Sequence, residues 1–329
     1  MTLTAPHGDE TVRQCRDCLV IANPAAAAVT TEVVARIEAA LEASALLAPG
    51  AGIRTLWTEA PGQAGVLAGS RQADLVVAVG GDGTASEVTQ VLAASAGSGQ
   101  LLCVIPAGSG NSTARSLWGD RTWQEVLDLL TENQAGRTRR RRIDLLRLHE
   151  ADLVSVLGAS TGFLAQVLVD AEHVDPALSG IDRYYAAAAQ VLLDMPAHPT
   201  RVTVDGRVLS DGPTSSVAVG GGRFRARSFQ FLPESVLDDG LLDVSTIGAL
   251  RGADVDEIAA TITTGEHLGH PLVTYTRGRV VVVERTDGHP LVAEYDGSVL
   301  AGIGSRLTAQ VLPNALSVLT ATDTEKARS

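Results

Sequence analysis

Two glycine-rich segments carry side chains suited to phosphate chemistry. Residues 80–84 read Gly-Gly-Asp-Gly-Thr, and residues 108–111 read Gly-Ser-Gly-Asn. Glycines let a backbone approach phosphate oxygens closely, and hydroxyl and amide groups can bind phosphate or ribose. A carboxylate such as Asp82 repels phosphates unless Mg²⁺ lies between them, directly or through water. Together the segments predict a nucleotide site with magnesium, although each alone could be a tight turn or a helix cap.

The apolar runs before these segments predict the elements that position them. Residues 75–79 and 101–105 are short, continuous apolar runs, typical of buried strands. Residues 18–22 and 53–57 are further strand candidates, and Val33, Ile37 and Leu41 recur at helical spacing. Strands that alternate with helices predict a doubly wound α/β domain with a parallel sheet. Ligands of such sheets bind at the carboxyl ends of the strands, where both glycine segments fall.

The pattern changes near residue 137. Two helical stretches, 163–172 and 184–193, are followed by short alternating runs, and Asp205-Gly206 is a hairpin signal between two of them. We therefore expect a second, mainly antiparallel domain, a β-sandwich or partial barrel. Residues 306–312 form a late strand candidate that can return to the first domain. The predicted division is 15–140, with a returning segment 304–320, and 141–303.

Charge and composition exclude several classes of protein. The 329 residues carry a net charge of −12, which argues against a nucleic-acid partner because phosphate contacts need a basic face. The 26 basic residues include one lysine, Lys326, so any phosphate must be held without a lysine in the folded part. No apolar run suits a signal peptide or a membrane span. We expect a cytoplasmic protein with reduced cysteines, peripheral at most to the inner membrane face.

These motifs in combination resemble the catalytic domain shared by diacylglycerol kinases, sphingosine kinases and bacterial lipid kinases. The resemblance spans most of the chain. Besides the two glycine segments, it includes Asn23-Pro24, the segment that begins at Thr58, Ile143-Asp144-Leu145, the run from Pro233 to Asp243, and Tyr295-Asp296-Gly297-Ser298. It implies an ATP site between an α/β half and a β-rich lipid-binding half. It also implies phosphoryl transfer from ATP and Mg²⁺ to a lipid hydroxyl, as in phospholipid biosynthesis.

The resemblance assigns roles residue by residue. The nucleotide-binding residues would be Asn23, Thr58, Gly80, Gly81, Asp82, Gly83, Thr84, Gly108, Ser109 and Asn111. Asp82 and Asp144 would belong to the acidic network around the catalytic Mg²⁺. Asp239 would hold a structural cation together with the carbonyl groups of Val236 and Leu241. The segment of Asp296 would contain the general base.

Two residues depart from the family pattern. Ser112 replaces an aspartate of the second glycine segment, a loss that sphingosine kinases share. Ser298 replaces the glutamate that usually serves as the base, and serine alone cannot be a general base at neutral pH. Either Asp296 serves as the base or the metal-bound nucleotide suffices. A slow kinase is the expectation, because positioning and charge stabilisation dominate phosphoryl transfer.

Two clusters of arginines could also meet phosphate. The run 137–142 could bind lipid headgroups or be a solvated hinge. Arg223, Arg225 and Arg227 alternate, so an extended segment would place them on one face, either toward phosphate or as an ion-paired strand.

Two other functions stay open from the sequence. The Gly-Gly-Asp-Gly-Thr segment also occurs in NAD kinases, and Thr161-Gly162-Phe163-Leu164 faintly resembles one of their segments, although their Thr-Pro-Thr-Gly-Ser-Thr loop has no match. The chain could also be a regulator that binds nucleotide or lipid and lost catalysis with the glutamate. The acceptor lipid is open, and an exposed strand edge in the second domain would allow a homodimer.

Overall fold

The first half of the chain is a parallel α/β sheet. The computed structural model describes residues 14–95, 99–131, 137–175, 177–178, 181–226 and 228–323. In this half the strands lie in the order β2-β1-β3-β4 and all pair in parallel. The strands are β1 Cys15–Ala22, β2 Leu47–Trp57, β3 Leu75–Gly80 and β4 Leu101–Pro106; the helices are α1 Thr31–Ala43, α2 Gln63–Gly69, α3 Asp82–Ala94, α4 Ser112–Trp118 and α5 Trp123–Thr131.

Burial explains why these short runs are strands. Every residue of β3 and β4 is buried, as expected for central strands covered on both faces. The two strands pair along their whole length, so the segments that follow Gly80 and Pro106 leave the sheet side by side. The connections through α3 and α4 begin at that edge. The structure therefore places both glycine segments at the predicted edge of the sheet.

Two long strands connect the two halves. They are β5 Thr138–Leu148 and β15 Arg306–Ala321, which pair in an antiparallel manner. The late part of β15 lies beside β4, where Val318 pairs with Leu102. Its early part instead pairs with β12 Val280–Arg285 of the second half. The last strand thus pairs with strands of both halves, while the predicted domain boundaries themselves stay a prediction.

The second half is a mainly antiparallel β-sandwich, which confirms the predicted fold class. Its remaining strands are β6 Leu153–Ser155, β7 Ala159–Gly162, β8 His198–Val204, β9 Arg207–Gly220, β10 Leu242–Gly248, β11 Val273–Gly278, β13 Ala293–Tyr295 and β14 Ser298–Leu300. Its helices are α6 Phe163–Ala171, α7 Ile181–Leu193 and α8 Ala253–Thr261. The predicted hairpin at Asp205-Gly206 joins β8 and β9, with φ of 48° and 79° at the two turn residues.

The two faces of the second sheet have different compositions. Side chains alternate along a strand, so registered neighbours share a face. Ala293 and Val217 lie in the apolar core of the sandwich. Glu294 pairs with Ser160, and Ser160 pairs with Ala218, so these three residues lie on the other face, where Ala218 packs in a cluster with Leu164 of α6. The sheet therefore has one dry face and one face with buried polar groups.

Several predicted elements differ in extent. Helix α3 begins at Asp82, inside the first glycine segment, so that segment forms the first turn of the helix. Helices α5 and α8 and strand β11 were not predicted. None of the described helices is long and apolar enough to span a membrane.

Candidate active site

The two glycine segments are in direct contact at the edge of the sheet. A Cβ atom added to Gly108 would lie 2.4 Å from the Cα atom of Gly81, so only glycine fits there. Ser109, which follows Gly108, and Gly83, which follows Asp82, are both exposed. Because neither glycine carries a side chain, the two backbones can approach this closely, and together they form one continuous polar surface at the ends of β3 and β4.

Asn23 and Thr84 tie the end of β1 to this surface. The Asn23 side chain donates from Nδ2 to Thr84 Oγ1 at 3.1 Å, and its backbone N–H donates to the Val79 carbonyl oxygen at 3.0 Å. Thr58 is buried at the end of β2, where its N–H donates to the Ala22 carbonyl oxygen at 2.9 Å. The structure therefore brings these predicted nucleotide contacts to the same edge as the glycine segments.

Asn111 shapes the second glycine segment from within. Its Oδ1 accepts from the Gly108 N–H at 2.9 Å and its Nδ2 donates to the Gly108 carbonyl oxygen at 2.7 Å. Its φ of 58° is in the left-handed region, which Asn tolerates better than most residues. The amide side chain thus closes the loop on itself, so its first role here is to hold the loop.

The N-terminus of α3 is available to an anion. The preceding residue, Gly81, provides no side-chain hydrogen bond to the first turn of this 13-residue helix. The first N–H groups of a helix carry a partial positive charge and need a partner. Gly83 in this turn is exposed, so its N–H can face a ligand, and an anion such as phosphate is a chemically suitable partner for it.

Asp82 connects the two glycine segments electrostatically. Its carboxylate accepts from the backbone N–H groups of Ser112 at 3.0 Å and Thr113 at 2.7 Å. Burial raises the pKa of Asp82, the two N–H bonds oppose that shift, and the charge of Asp296 adds to it. Each oxygen keeps a lone pair beyond its N–H bond, and oxygen ligands of this kind suit Mg²⁺.

Asp296 lies at the tip of the β13–β14 hairpin and is almost completely enclosed. Only 2% of it is exposed, and its φ of 47° and that of Gly297, 83°, correspond to a type I′ turn. Its carboxylate accepts five hydrogen bonds. The donors are Ser86 Oγ at 2.9 Å, Ser155 Oγ at 2.6 Å and the N–H groups of Val156 at 3.1 Å, Leu157 at 2.8 Å and Gly158 at 3.4 Å.

These five bonds fix the position of the hairpin. Ser86 belongs to α3, so one bond joins the hairpin tip to the helix that begins in the first glycine segment. A carboxylate with most of its lone pairs engaged is better placed to hold structure than to accept a proton. The assignment of Asp296 and Ser298 to the general base region stays a prediction. Ser298 begins β14 and pairs with Tyr295.

Glu294 is a buried acid that the sequence analysis missed. It is 2% exposed, accepts from Ser160 Oγ at 2.5 Å and from the Gly297 N–H at 3.0 Å, and so lies directly under the hairpin turn. Burial raises its pKa, which the charge of Arg225 and these hydrogen bonds oppose. The signal was present, because an acid two residues before Asp296 in an alternating strand must face the same side.

The loop 236–241 is organised chiefly by protein groups. Asp144 accepts from the N–H groups of Gly240 at 2.6 Å and Asn314 at 2.7 Å, which places it beside this loop, and its role near the catalytic Mg²⁺ stays a prediction. The Asp239 carboxylate accepts from the Leu241 N–H at 3.0 Å, and Arg277 Nη1 lies 3.8 Å from it.

The predicted structural cation would have few side-chain ligands at this loop. Among the residues that the structure describes, no three acidic, His or Cys side chains are arranged to hold a metal. A cation here would use Asp239, whose pKa burial raises, and the carbonyl groups of Val236 and Leu241. That site stays a prediction.

The arginine clusters are mostly engaged. Arg141 is buried in an ion pair with Asp238, while Arg140 and Arg142 donate to the carbonyl oxygens of Gly99 and Asn314. Residues 138–142 of the run are therefore part of β5.

The segment around Arg223 is not an extended strand, because Ala226 has a φ of 44° in a tight turn. Arg225 is buried, and Arg227 lies outside the described residues, as does Lys326. The extended segment on which such a row of guanidinium groups depends is therefore interrupted at Ala226.

The fold and site together define a protein with a glycine-rich edge on its α/β half and an acidic hairpin from its β-sandwich. Residues 17–147 match the diacylglycerol kinase catalytic domain, and residues 158–320 match the YegS C-terminal NAD kinase beta sandwich-like domain. The chain belongs to this diacylglycerol kinase and YegS-like lipid kinase family, as the resemblance implied.

Named relatives support the same family. The chain is 30% identical over 232 residues to a "Probable lipid kinase YegS-like" of Xanthomonas oryzae, which covers 68% of this chain and 71% of the relative. It is 26% identical to a diacylglycerol kinase of Staphylococcus aureus, over 63% of each chain. A crystal structure of a diacylglycerol kinase from Bacillus anthracis has a TM-score of 0.68 at 19% identity, covering 93% of this chain and 97% of that one. These names support a phosphotransferase.

Proposed function

We propose that this protein is a lipid kinase that transfers the γ-phosphate of ATP to a lipid hydroxyl. The observation that carries the proposal is the hydrogen bond from Ser86 Oγ to Asp296 at 2.9 Å. It connects the helix that starts at the glycine segments to the hairpin of the β-sandwich. Through it, the phosphate-binding edge and the acidic hairpin meet at one place, which transfer between two bound substrates requires.

The nucleotide would be held without a lysine. In this proposal the α3 N-terminus and the exposed Ser109 bind the phosphates, and Asn23 keeps Thr84 in place beside them. Asp82 fits a Mg²⁺ ion, which would neutralise phosphate charge when bound. The remaining contributions come from the chain itself: the abutting glycines exclude side chains and the Asp296 bonds fix the hairpin.

Proton removal from the acceptor hydroxyl would be weak. Ser298 is no base, and Asp296 already accepts five hydrogen bonds. General base catalysis contributes roughly 10²–10⁴-fold, whereas positioning and charge stabilisation supply most of the rate of phosphoryl transfer. The proposal therefore includes a kinase that is slow and not inactive. The acceptor is a diacylglycerol or a related long-chain alcohol, taken up by peripheral contact with the cytoplasmic face of a membrane.

A regulator that binds nucleotide without catalysis is the second candidate. The same two observations favour it: the serine at position 298 and the hydrogen bonds that occupy Asp296. Restoring the acid separates the two functions. Ser298→Glu should raise the transfer rate of a weakened kinase and should leave a regulator with none.

The test is transfer of labelled γ-phosphate from ATP and Mg²⁺ to a mixed lipid extract in detergent micelles. Asp82→Asn removes the acid at the glycine segments, and Asp128→Asn, an exposed acid on α5, is the matched control. Label in an organic-soluble product, retained in the control and lost in Asp82→Asn, supports the proposal. Label that appears only on added NAD would replace it by a soluble-substrate kinase, and ATP binding without transfer to any acceptor would favour the regulator.

A further inference from the structure

Arg225 is a buried guanidinium that the proposed reaction has not yet used. It is 5% exposed, and its hydrogen bonds go to three backbone carbonyl oxygens. It donates to Gly222 at 2.9 Å, Phe224 at 3.1 Å and Leu157 at 2.9 Å, while its Nε has no hydrogen-bond partner among the described residues. Burying a charge is costly unless it is compensated, so this guanidinium needs negative charge nearby.

The guanidinium lies directly on the segment that holds the hairpin. A Cβ atom on Gly158 would be 2.5 Å from Arg225 Nη2, so the absence of a side chain there makes the slot that the arginine fills. The carbonyl group of Leu157 accepts from Arg225, and the N–H of Leu157 donates to Asp296 at 2.8 Å. Arg225 is therefore hydrogen-bonded to the same peptide segment that donates hydrogen bonds to Asp296.

Three carboxylates act on this cation electrostatically without forming an ion pair with it. Glu294, Asp296 and Asp82, in this order, favour its charged form against the effect of burial. Within the described ranges, no carboxylate oxygen is hydrogen-bonded to it or lies within 4 Å of its nitrogens. One fixed positive charge thus faces acids from both halves of the protein.

We propose that Arg225 is a positioning residue and the built-in cation of the reaction centre: it holds the segment 155–158 against Asp296 and balances the acids of Asp82, Glu294 and Asp296 for an anionic nucleotide. The proposal rests on the proposed function for the identity of that nucleotide. Because Arg225 is buried, it acts through its field and through the peptide that it holds. Acidic groups alone would repel a polyphosphate, and Arg225 reduces that repulsion.

The charge has opposite effects on anions and cations, which gives the test its sign. A unit charge about 10 Å away at an effective dielectric constant of about 20 corresponds to a change on the order of tenfold in affinity for a singly charged ligand. Arg225→Met should weaken the binding of ATP without divalent cation by at least about tenfold. It should tighten the binding of Mn²⁺ without nucleotide by a similar factor, because three carboxylates are then uncompensated.

A structural role alone predicts a different pattern. Loss of packing would weaken both ligands, and Arg225→Lys would be as damaging as Arg225→Met. We expect Arg225→Lys, which keeps the charge but not the bonds to all three carbonyl groups, to change the binding of ATP and Mn²⁺ less than Arg225→Met does. Arg201→Met, which removes an exposed arginine paired with Asp211, is the control and should change neither. ATP binding is measured by titration calorimetry in EDTA, and Mn²⁺ binding by electron paramagnetic resonance.

A second variant covers a failure to fold. If Arg225→Met does not give a cooperative thermal transition, the double variant Arg225→Met with Glu294→Gln removes one positive and one negative charge together. The double variant should fold better than Arg225→Met. It should also bind Mn²⁺ less tightly than expected for a site from which only the positive charge of Arg225 has been removed. Equal effects of Arg225→Met on both ligands, or no tightening of Mn²⁺, overturn the proposal. An inactive parent protein that still shows the opposite signs would reject the lipid kinase and keep Arg225.

Discussion

Replacing Asp296 by asparagine tests whether the hairpin acid is mainly structural. Asn keeps the size of the side chain and tolerates the φ of 47°, so the backbone is not the variable. Oδ2 accepts from Ser86 Oγ and the Val156 N–H, and Oδ1 accepts from Ser155 Oγ and two further N–H groups. An amide can place its oxygen on only one of these two sets.

The cost follows from these contacts. With oxygen on the Oδ1 side, the amide NH₂ meets the Val156 N–H, which cannot rotate away, and the remaining bonds lose their charged acceptor. Bonds to a charged group contribute about 1.5–3 kcal/mol each, and a buried donor left unpaired costs about 1–3 kcal/mol. We expect Asp296→Asn to lower the free energy of unfolding by about 3–5 kcal/mol, and the melting temperature by about 5–10 °C.

Differential scanning calorimetry with two companion variants checks this expectation. Ser86→Ala removes a single one of the five bonds and should cost about 1–2 kcal/mol. Asp128→Asn, on the surface of α5, should change the melting temperature by less than about 1 °C. A melting temperature of Asp296→Asn within 1–2 °C of the parent (roughly the effect of a surface change), together with a large loss of transfer rate, would refute the structural role. That result would instead support Asp296 as the general base.

Three further outcomes are expected from other parts of the molecule. Gly108→Ala should abolish nucleotide binding and lower stability, because its Cβ would lie 2.4 Å from the Gly81 Cα; equilibrium binding of ATP and thermal unfolding measure the two effects. The three cysteines are free and buried, and burial raises the pKa of Cys18 to about 12, so the native protein should not react with a thiol reagent at pH 8 (chosen near the usual thiol pKa), whereas the unfolded protein should. Burial raises the pKa of Glu294, so the stability that Glu294 contributes is fully present below its unfolded pKa and is lost as the pH rises through its folded pKa. The stability of the parent relative to Glu294→Gln should therefore fall from about pH 4.5 upward, which is near the ordinary pKa of Glu. Melting temperatures across a pH series measure this fall.

The sheet and the glycine segments could be predicted because their signals are local. Short apolar runs ending in Gly-Gly-Asp-Gly-Thr and Gly-Ser-Gly-Asn specify strand ends, and parallel strands bring such ends to one edge. The contact between Gly81 and Gly108 then needs only that β3 and β4 be neighbours. A pattern of this kind contains both the element and its position.

The buried position of Arg225 in the second half of the chain could not be predicted in this way. Arg225 is separated from Leu157 by 68 residues along the chain and is held by carbonyl groups, which every residue has. No side-chain pattern announces such a site. The alternation of arginines at 223, 225 and 227 suggested an extended strand, but the turn at Ala226 gives Arg225 a buried position of its own. Such positions depend on the backbone path, which the sequence pattern did not give.

The shared strand β15 has a consequence for how the polypeptide leaves the ribosome. Strand β4 needs a neighbour on its outer side, and that neighbour is supplied by residues near Val318. Until those residues are synthesised, the newly made α/β half presents a fully buried, apolar strand as an open edge, which is a template for aggregation. Completion of the α/β half during translation must therefore wait for synthesis of almost the whole sandwich, and the two halves mature as one unit.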